Sequence, residues 1–259
     1  MNFTFGIATT NGNEAFLKKT IESILSLNIE NYEIVIVGGT KKILNDFPKS
    51  YIKHLHFDES LREMWITRKK NLIIEEANFE NIVFMHDYIL LDKDWYQGFQ
   101  KFGNSFTVCT NKILNYDGTR FRDWTLSANN YIKIDSLLNN SLSYLLPYDE
   151  DSLTKYMYIS GAYWVAKKDF MKNNKLNEKL IWGQGEDVEW SHRVRKKVKF
   201  KFNNYSTIKL QKQKDVYFKQ IPDKILEQFK NRSVIEKFID QLFVPYRRFI
   251  KKGKFFKYF

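Results

Sequence analysis

The alternation of strand and helix patterns over the first forty residues is the feature that most constrains the fold. Residues 2–9 are rich in β-branched and aromatic side chains, which favours a strand. Apolar residues then recur at helical spacing between Leu17 and Leu25. Tyr32–Val37 is a short apolar run closed by two glycines, typical of a strand buried on both faces. Strand, helix and strand in this order predict a parallel βαβ unit, and therefore the α/β fold class.

Patterns of the same kinds continue along the chain. Further strands are predicted at residues 51–57, 81–85, 106–110, 156–166 (interrupted at residues 160–161) and 198–202. Further helices are predicted at residues 60–77, 94–102, 188–197 and 222–242. Asn13, and then Ser60 with Glu63 at capping-box spacing, are expected to cap the first two helices. Residues 112–151 are expected to cross over the sheet, partly as loop. We therefore predict one domain over residues 1–215, a mostly parallel central sheet flanked by helices, with a C-terminal helix and basic tail over residues 216–259.

Charge and cysteine content narrow the partners and the compartment. Lys and Arg number 42 against 30 Asp and Glu, and this net charge of +12 favours phosphorylated substrates, polyanions or anionic membranes. Cys109 is the single cysteine, which excludes an internal disulfide and favours a reducing compartment. The N-terminus has no signal-peptide pattern, and no apolar stretch approaches the ~20 residues that cross a bilayer. A cytoplasmic protein is therefore predicted.

The stretch with the most chemical content is Trp-Gly-Gln-Gly-Glu-Asp-Val-Glu-Trp, at residues 182–190. Its two glycines predict a tight, open loop, because only glycine adopts positive φ freely. Glu186 and Asp187 precede good helix formers, so we expect both carboxylates at a helix N-terminus, where the dipole favours negative charge. With Trp182 and Trp190 on either side, the stretch suits a site that binds a sugar and deprotonates a hydroxyl. The alternative is a capped helix after a glycine turn.

A second candidate site follows the strand predicted at residues 81–85, where the chain continues with His86, Asp87 and Tyr88. Ligands of open parallel sheets bind beyond the carboxyl ends of the strands. Magnesium in proteins is usually held by one or two carboxylates together with substrate phosphates. Asp87, with His86 as a second ligand, is therefore a candidate site for a divalent cation, Mn²⁺ or Mg²⁺. The alternative is an ordinary solvated strand end.

In order and spacing, these motifs resemble a GT-A glycosyltransferase of the inverting family 2 type. Lys69-Lys70-Asn71 stands where that family has Ala-Arg-Asn in a helix, with Ala77 six positions after the Asn. His86 falls at the first Asp of the family's Asp-x-Asp motif, and Asp92, Asp94 and Trp95 continue that pattern. Residues 182–187 resemble the Trp-Gly-x-Gly-Glu-Asp loop of inverting galactosyltransferase-like enzymes, and residues 160–162 resemble a small-residue strand beside the acceptor. The matches together span residues 3–195.

The resemblance implies a single Rossmann-like nucleotide-binding domain that moves a sugar from a nucleotide-diphosphate sugar to an acceptor hydroxyl, with inversion, as in capsule or lipopolysaccharide synthesis. In such enzymes the Asp of the Glu-Asp pair is the catalytic base, which maps to Asp187. The acceptor-binding residues implied are Glu186, Trp182, Gly161 and Tyr163. The donor-binding residues implied are Thr9, Thr10, Asn11, Gly38, Trp65, Arg68, Lys70, His86, Asp87 and Tyr88, with Arg68 and Lys70 near the phosphates.

Three departures from the family pattern bear on the metal and the nucleoside. The Asp-x-Asp segment keeps one aspartate, Asp87. Many relatives have a late histidine that completes the metal site, whereas no histidine follows His192 here. Gly38 and Gly39 stand where acidic residues usually contact the nucleoside. The resemblance therefore does not by itself imply a metal requirement or the usual recognition of the base.

Two other functions remain open at this point. A sugar nucleotidyltransferase would share the nucleotide-binding sheet, but residues 9–12 are too poor in glycine for its phosphate loop. A non-catalytic nucleic-acid-binding module would suit the positive charge and the aromatic residues, but it would leave Glu186 and Asp187 unexplained.

The last residues of the chain suggest a further partner. Residues 246–259 interleave six basic residues with six aromatic ones, which predicts attachment to the inner face of an anionic membrane. Such attachment would bring the site to a lipid-linked or surface-glycan acceptor. The alternatives are a disordered basic terminus or a tail folded onto the domain.

Overall fold

The computed structural model describes residues 1–47, 50–127, 143–214 and 218–231, and contains an eight-stranded and a four-stranded sheet. The strands are β1 (Phe3–Ala8), β2 (Tyr32–Val37), β3 (Ile52–Leu55), β4 (Asn81–His86), β5 (Ile89–Leu91), β6 (Val108–Leu114), β7 (Thr125–Ser127), β8 (Ser143–Leu145), β9 (Met157–Tyr158), β10 (Tyr163–Lys167), β11 (Lys201–Leu210) and β12 (Lys219–Gln220). The helices are α1 (Glu14–Leu25), α2 (Ile66–Glu76), α3 (Trp95–Phe102), α4 (Lys168–Asn173), α5 (Glu186–Val194) and α6 (Asp223–Lys230).

The large sheet has the strand order β3-β2-β1-β4-β10-β6-β11-β5, and the small one β12-β8-β7-β9. β1 pairs in parallel with β2 and β4, with Phe3 opposite Tyr32 on one side and Asn81 on the other. β10 is antiparallel to β4 and β6, and β5 is antiparallel to β11, so these two strands oppose the other six. The predicted α/β class with a mostly parallel central sheet is confirmed.

Both faces of the large sheet are covered, which explains why its central strands are apolar along their length. Every residue of β1 and of β4 is buried. Because side chains alternate along a strand, each strand contributes to two cores. On one face, Phe3 and Phe5 pack against Trp95. On the other, Phe84 stacks on Trp164 with ring centroids 4.5 Å apart.

One edge of the large sheet collects polar residues from distant parts of the chain. β1, β2, β4 and β11 finish at this edge, and the opposed strands β10 and β5 begin there. The connections at these strand ends carry Thr9, Gly38, Asp87, Gly161 and Lys212. This is the edge at which open α/β sheets bind their ligands.

Several predictions of local structure are wrong. Ser60 and Glu63 do not open a helix, because α2 begins only at residue 66 and the Ser60 hydroxyl donates to Asp58 instead. The interruption predicted at residues 160–161 is present, but the strands on either side of it, β9 and β10, belong to different sheets. The strand predicted at residues 198–202 is β11, which begins later and runs to Leu210.

Part of the predicted C-terminal region lies outside the described residues. The helix predicted from Pro222 is present as α6, but its continuation to residue 242, the basic tail and the boundary at residue 215 lie beyond the described ranges. The same holds for residues 128–142 of the predicted crossing. Within the part of the chain that the structure describes, no helix combines the length and apolar character needed to span a bilayer.

Candidate active site

The Glu-Asp pair lies in the first turn of α5, as the sequence predicts. Gly185 precedes the helix with a φ of 70°, a left-handed conformation that favours glycine. The Oδ2 of Asp187 accepts a hydrogen bond from the backbone N–H of Gly161 at 2.7 Å. Its Oδ1 accepts one from the N–H of Val188 at 2.8 Å. Two backbone donors therefore fix the orientation of this carboxylate.

Gly161 allows the carboxylate of Asp187 to approach the strand end. A Cβ built on Gly161 would lie 3.1 Å from both Cβ and Oδ2 of Asp187, tighter than nearly all contacts of real Cβ atoms. The carbonyl oxygen of Gly161 accepts a hydrogen bond from Nζ of Lys70 at 2.7 Å. The backbone of one glycine thus lies between a buried ammonium and the candidate base.

Lys70 and Glu186 bring an amino group and a carboxyl group to the buried part of the site, with exposed fractions of 1% and 5%. Burial raises the pKa of Glu186 to about 7, with the charge of Asp187 adding to the rise and Lys70 opposing it. Burial lowers the pKa of Lys70, against the attraction of both carboxylates. The phosphate contact of Lys70 stays a prediction; its Nζ lies between the Gly161 carbonyl and the Trp164 ring, 4.6 Å from the ring centroid.

Asp87 is buried at the end of β4, where the connection between β1 and α1 supplies its hydrogen-bond donors. Its Oδ2 accepts from Oγ1 of Thr9 at 2.6 Å and from Nδ2 of Asn13 at 2.9 Å. Its backbone carbonyl accepts from the Thr20 hydroxyl at 2.6 Å. Burial nevertheless raises the pKa of the Asp87 carboxyl. Asn13 is the N-cap residue of α1, but its side chain is directed to Asp87 and Thr10 rather than to the helix.

Two lysines that sequence reasoning missed lie against Tyr88. Nζ of Lys214 donates to the Tyr88 hydroxyl at 2.5 Å. Nζ of Lys212 and Nζ of Lys214 lie 4.2 Å and 4.3 Å from the centroid of the Tyr88 ring. Both lysines follow β11, far from Tyr88 in sequence. The chain's excess of basic residues was the only sequence signal that pointed to such a cluster.

His86 presents a buried nitrogen to the same region. The residue is 8% exposed, and its Nε2 has no hydrogen-bond partner among the described residues. Burial, followed by the charges of Lys70, Lys214 and Lys212, holds the pKa of His86 well below its usual range. The imidazole is therefore neutral at physiological pH.

These residues are a poor donor set for a divalent cation. Asp87 is the single carboxylate of the predicted metal site, and its Oδ2 already accepts two hydrogen bonds. The ammonium groups of Lys212 and Lys214 act on His86, the predicted second ligand, and would repel a metal ion there. Across the described ranges, no group of three or more His, Cys, Asp or Glu side chains could hold a metal ion. The residues present do not fit a cation held by the protein.

The loops after β1 and β2 lie at the same edge of the large sheet, on the side away from β11 and β5. Lys69 of α2 is buried, and its Nζ donates to the Thr9 carbonyl at 2.7 Å and to Oε1 of Glu59 at 2.5 Å. Gly38 has a φ of 89°, and a Cβ built on it would lie 3.3 Å from Oε1 of Glu59. Glu59 therefore brings a carboxylate to the glycine pair, where the sequence lacks the expected acid. Residues 10–11 follow Thr9 and are exposed. Exposed residues at this position could contact a nucleoside.

Tyr163 and Trp182, two of the predicted acceptor contacts, have opposite environments. Tyr163 is fully buried, and its hydroxyl accepts a hydrogen bond from Nε1 of Trp95 at 2.8 Å. Because Tyr163 alternates with Trp164 along β10, its side chain enters the core on the opposite face of the sheet, and its acceptor contact stays a prediction. Trp182 is 49% exposed, and its backbone N–H donates to the carbonyl of Met64 at 3.0 Å. Its indole face is available to a sugar ring.

Arg68 and Trp65 hold α2 to the chain that precedes the Glu-Asp loop. Nη1 of Arg68 lies 3.2 Å from Oε1 of Glu75 and 3.2 Å from Oε1 of Glu178. Both carboxylates thus lie on its guanidinium, and the contact of Arg68 with the phosphates stays a prediction. Nε1 of Trp65 donates to the backbone carbonyl of Glu178 at 2.8 Å, so the polar atom of this predicted donor contact is also occupied.

The solved structures that are similar to this chain include the following two. Staphylococcus aureus TarS 1–349 in complex with UDP-GlcNAc matches with a TM-score of 0.58 at 14% identity, over 83% of this chain and 60% of that one. GalNAc-T7 with UDP, GalNAc and Mn²⁺ matches with a TM-score of 0.60 at 13% identity, over 85% of this chain and 45% of that one. The chain thus spans less than two thirds of either. No protein-family model matches it, and no curated protein matches it in sequence.

The two neighbours are glycosyltransferases of the GT-A type, and the predicted GT-A fold is confirmed. Likeness at these identities concerns the fold alone. The activity must therefore be argued from the residues gathered at the sheet edge.

Proposed function

We propose that this chain is an inverting glycosyltransferase of the hexosyltransferase type, which moves a sugar from a nucleotide-diphosphate sugar to an acceptor hydroxyl in the synthesis of a surface glycan such as capsule or lipopolysaccharide. One observation carries the proposal. The Asp187 carboxylate, held by the N–H of Gly161, lies at the same sheet edge as Asp87 and the β1 loop. The UDP-GlcNAc bound to TarS and the UDP bound to GalNAc-T7 support a nucleotide-sugar donor.

The proposed reaction uses two groups of residues at this sheet edge, one that binds the donor and one that holds the base. The nucleoside would lie on residues 9–11 and Gly38, with the diphosphate directed towards Asp87. The acceptor hydroxyl attacks the anomeric carbon from the side opposite the diphosphate, and Asp187 takes its proton. The bond from the anomeric carbon to the diphosphate oxygen breaks, and its electron pair leaves with the diphosphate. A single displacement of this kind inverts the anomeric configuration.

Two neighbours of the base have roles in binding the acceptor. Because its pKa lies about 7, Glu186 is partly protonated near neutral pH and can donate a hydrogen bond to the acceptor as well as accept one. The exposed ring of Trp182 would stack on a sugar face. Gly161 would contribute its backbone, through which the base is oriented.

A divalent cation, Mn²⁺ or Mg²⁺, is the cofactor that the sequence predicts for such an enzyme, and Mn²⁺ is present in the GalNAc-T7 structure. In this chain Asp87 and His86 would be its protein ligands, and a cation would supply charge to the leaving diphosphate. Because the donor set does not fit such an ion, no step above depends on it.

The direct test is a panel of hexoses linked to UDP, GDP, CDP, ADP and dTDP, incubated with a mixture of acceptor saccharides. We expect one donor to be consumed only when a suitable acceptor is present, with an inverted anomeric configuration in the product by NMR. The Asp187→Asn chain, purified in the same way, shows whether turnover belongs to this site. Formation of a sugar nucleotide from a nucleoside triphosphate and a sugar phosphate would favour a nucleotidyltransferase. Salt-dependent binding of single-stranded nucleic acid without turnover would favour the non-catalytic module.

We also propose that the basic aromatic tail, residues 246–259, attaches the enzyme to the cytoplasmic face of an anionic membrane. The full chain should co-sediment with anionic liposomes and be released as salt rises, because exposed charges are screened. Truncation after Val244 should abolish sedimentation and leave turnover of a soluble acceptor unchanged. Loss of soluble turnover on truncation would show that the tail belongs to the folded domain.

A further inference from the structure

The segment after β11 is fixed against the end of β4 by several hydrogen bonds. The backbone N–H of Gln211 donates to the carbonyl of Tyr88 at 2.9 Å, and its Nε2 donates to Oγ1 of Thr20 at 3.0 Å. The backbone N–H of Lys214 donates to Oδ1 of Asn115 at 3.1 Å. The two lysines of this segment are therefore placed at the sheet edge by the fold itself.

Three basic side chains gather at this point. Burial, followed by the charges of Lys212 and Arg122, lowers the pKa of Lys214 to about 8, with Asp87 opposing them. Nε of Arg122 is buried and has no hydrogen-bond partner among the described residues. Lys212, Lys214 and Arg122 repel one another, whereas the carboxylates of Asp87, Glu186 and Asp187 act on Tyr88 from the same region. A bound anion would reduce the repulsion among the three cations. The cluster has the composition of an anion-binding site.

Tyr88 acts as a platform for the two ammonium groups. Its hydroxyl accepts a hydrogen bond from Lys214, and both Nζ atoms lie within cation–π distance of its ring. An ammonium group has three N–H donors, and the contact with Tyr88 uses one of those on Lys214. Lys212 is exposed and can turn towards a ligand. Both side chains therefore keep donors for an anion at the edge.

We propose that Lys212 and Lys214, seated on Tyr88, bind the diphosphate of the donor and neutralise it as it leaves, in place of a divalent cation. This inference rests on the proposed function and adds the groups that take the charge of the leaving group. Together the two ammonium groups carry the same charge as one Mg²⁺ or Mn²⁺. Lysine also binds phosphate readily as a point charge.

The step needs no further reactant. The bond between the anomeric carbon and the diphosphate oxygen breaks, and the electron pair stays on the diphosphate. The ammonium groups donate hydrogen bonds to its oxygens, which strengthen as negative charge develops. The acceptor proton goes to Asp187, as described above, so charge and protons balance without a metal.

The experiment measures binding of UDP, inorganic pyrophosphate and uridine by calorimetry, in the presence of EDTA, to the full chain. We expect Lys212→Gln and Lys214→Gln each to weaken binding of UDP and pyrophosphate about tenfold, and the double variant more, since each removes a charge-assisted hydrogen bond. Uridine binding should stay unchanged. Pyrophosphate reports on the diphosphate even if the base of the natural donor is not uracil.

Two controls separate charge from folding. Lys209→Gln changes an exposed lysine of β11, three positions before Lys212, and should leave all three affinities unchanged. The double variant with Lys212→Arg and Lys214→Arg keeps both charges and should retain pyrophosphate binding. Thermal unfolding of every variant shows whether a loss of binding reflects a loss of structure.

The possible results divide clearly. If EDTA abolishes binding of UDP and pyrophosphate to the wild-type chain and Mn²⁺ restores it, or if the Gln double variant binds pyrophosphate like wild type, the inference is overturned while sugar transfer can still stand. If neither UDP nor pyrophosphate binds and no sugar nucleotide of the panel is consumed, the proposed function fails together with it. Wild-type turnover that is unchanged in EDTA, and reduced in the Gln double variant, supports both.

Discussion

Lys69 and Lys70 are adjacent on α2 and both buried, yet they serve different halves of the site. Lys69 donates to the Thr9 carbonyl and to Glu59, in what we call the donor half, the loops after β1, β2 and β4 with the cluster on Tyr88. Lys70 donates to the Gly161 carbonyl, in what we call the catalytic half, residues 160–162 with the Glu-Asp pair. Helix α2 therefore supports both halves from neighbouring positions.

The two halves are built in different ways. In the catalytic half, a contiguous loop and helix meet one strand end, and backbone N–H groups orient the carboxylate. In the donor half, side chains converge from the segments that follow β1, β3, β4 and β11, from the residue before α1 and from α2, and hydrogen bonds between side chains hold them together. The catalytic half is thus organised by the backbone and the donor half by charge. Changes in the catalytic half should therefore alter the rate of turnover, and changes in the donor half should alter the affinity for the donor.

The largest effect is expected from Asp187→Asn. The amide cannot take the acceptor proton, so turnover should fall by about 10²–10⁴-fold, the usual contribution of a general base. Donor affinity should remain that of wild type, because the donor half is untouched. Steady-state transfer and calorimetric donor binding measure the two quantities. Asp223→Asn, which changes an exposed acid in the first turn of α6, is the matched control. Near wild-type transfer by Asp187→Asn would remove Asp187 from its role.

Gly161→Ala tests whether the backbone orients the base. The added Cβ would lie 3.1 Å from Oδ2 of Asp187, so the carboxylate must move away from the Gly161 N–H. The shift required is a few tenths of an ångström, less than the ~1 Å that can cost about 10²-fold in rate, so we expect a loss of about tenfold. As for Asp187→Asn, the transfer rate should fall while the donor affinity stays that of wild type, but the loss of rate should be smaller. If donor affinity falls as much as the rate, the two halves are not independent.

The catalytic half was the more predictable from sequence, and the reason is local. Residues 182–187 lie in one loop and helix turn, so their types and order already imply their geometry. The α/β class was likewise visible in periodicity, because strands buried on both faces are apolar throughout. The direction of the Tyr163 side chain and the enclosure of the Lys70 ammonium group were not visible in the sequence. Strand register and helix rotation decide which face a side chain meets. The lysines on Tyr88 could not be foreseen, because the sheet order alone brings β11 beside β5.

A pair of variants on α2 sharpens the comparison directly. Lys69→Met should weaken donor binding about tenfold, because Glu59 and the Thr9 carbonyl lose a charge-assisted donor, while the rate at saturating donor holds. Lys70→Met should lower the rate about tenfold with donor affinity unchanged, because the Gly161 carbonyl loses its partner. Each variant also loses a buried cation, so unfolding temperatures must show that both remain folded. If both variants change the same kinetic parameter, Lys69 and Lys70 do not support different halves of the site.

The smallest effect on activity, and the clearest on stability, is expected from the pH dependence of Glu186. Its pKa is raised from 4.5 to about 7 in the folded chain, mainly by burial, so its protonated form favours the folded state. The stability it contributes is complete below pH 4.5 and is lost as pH rises through 7, by at most about 3 kcal/mol in the free energy of unfolding. Glu186→Gln removes this loss, so the variant should gain on wild type between pH 5 and pH 8 in urea unfolding. Lys70 opposes the rise in the pKa of Glu186. The loss of stability between pH 5 and pH 8 should therefore be larger in Lys70→Met, which keeps Glu186, than in wild type. A variant whose stability follows wild type at every pH would mean that Glu186 is not held protonated by burial, and that the catalytic half is organised by charge as the donor half is.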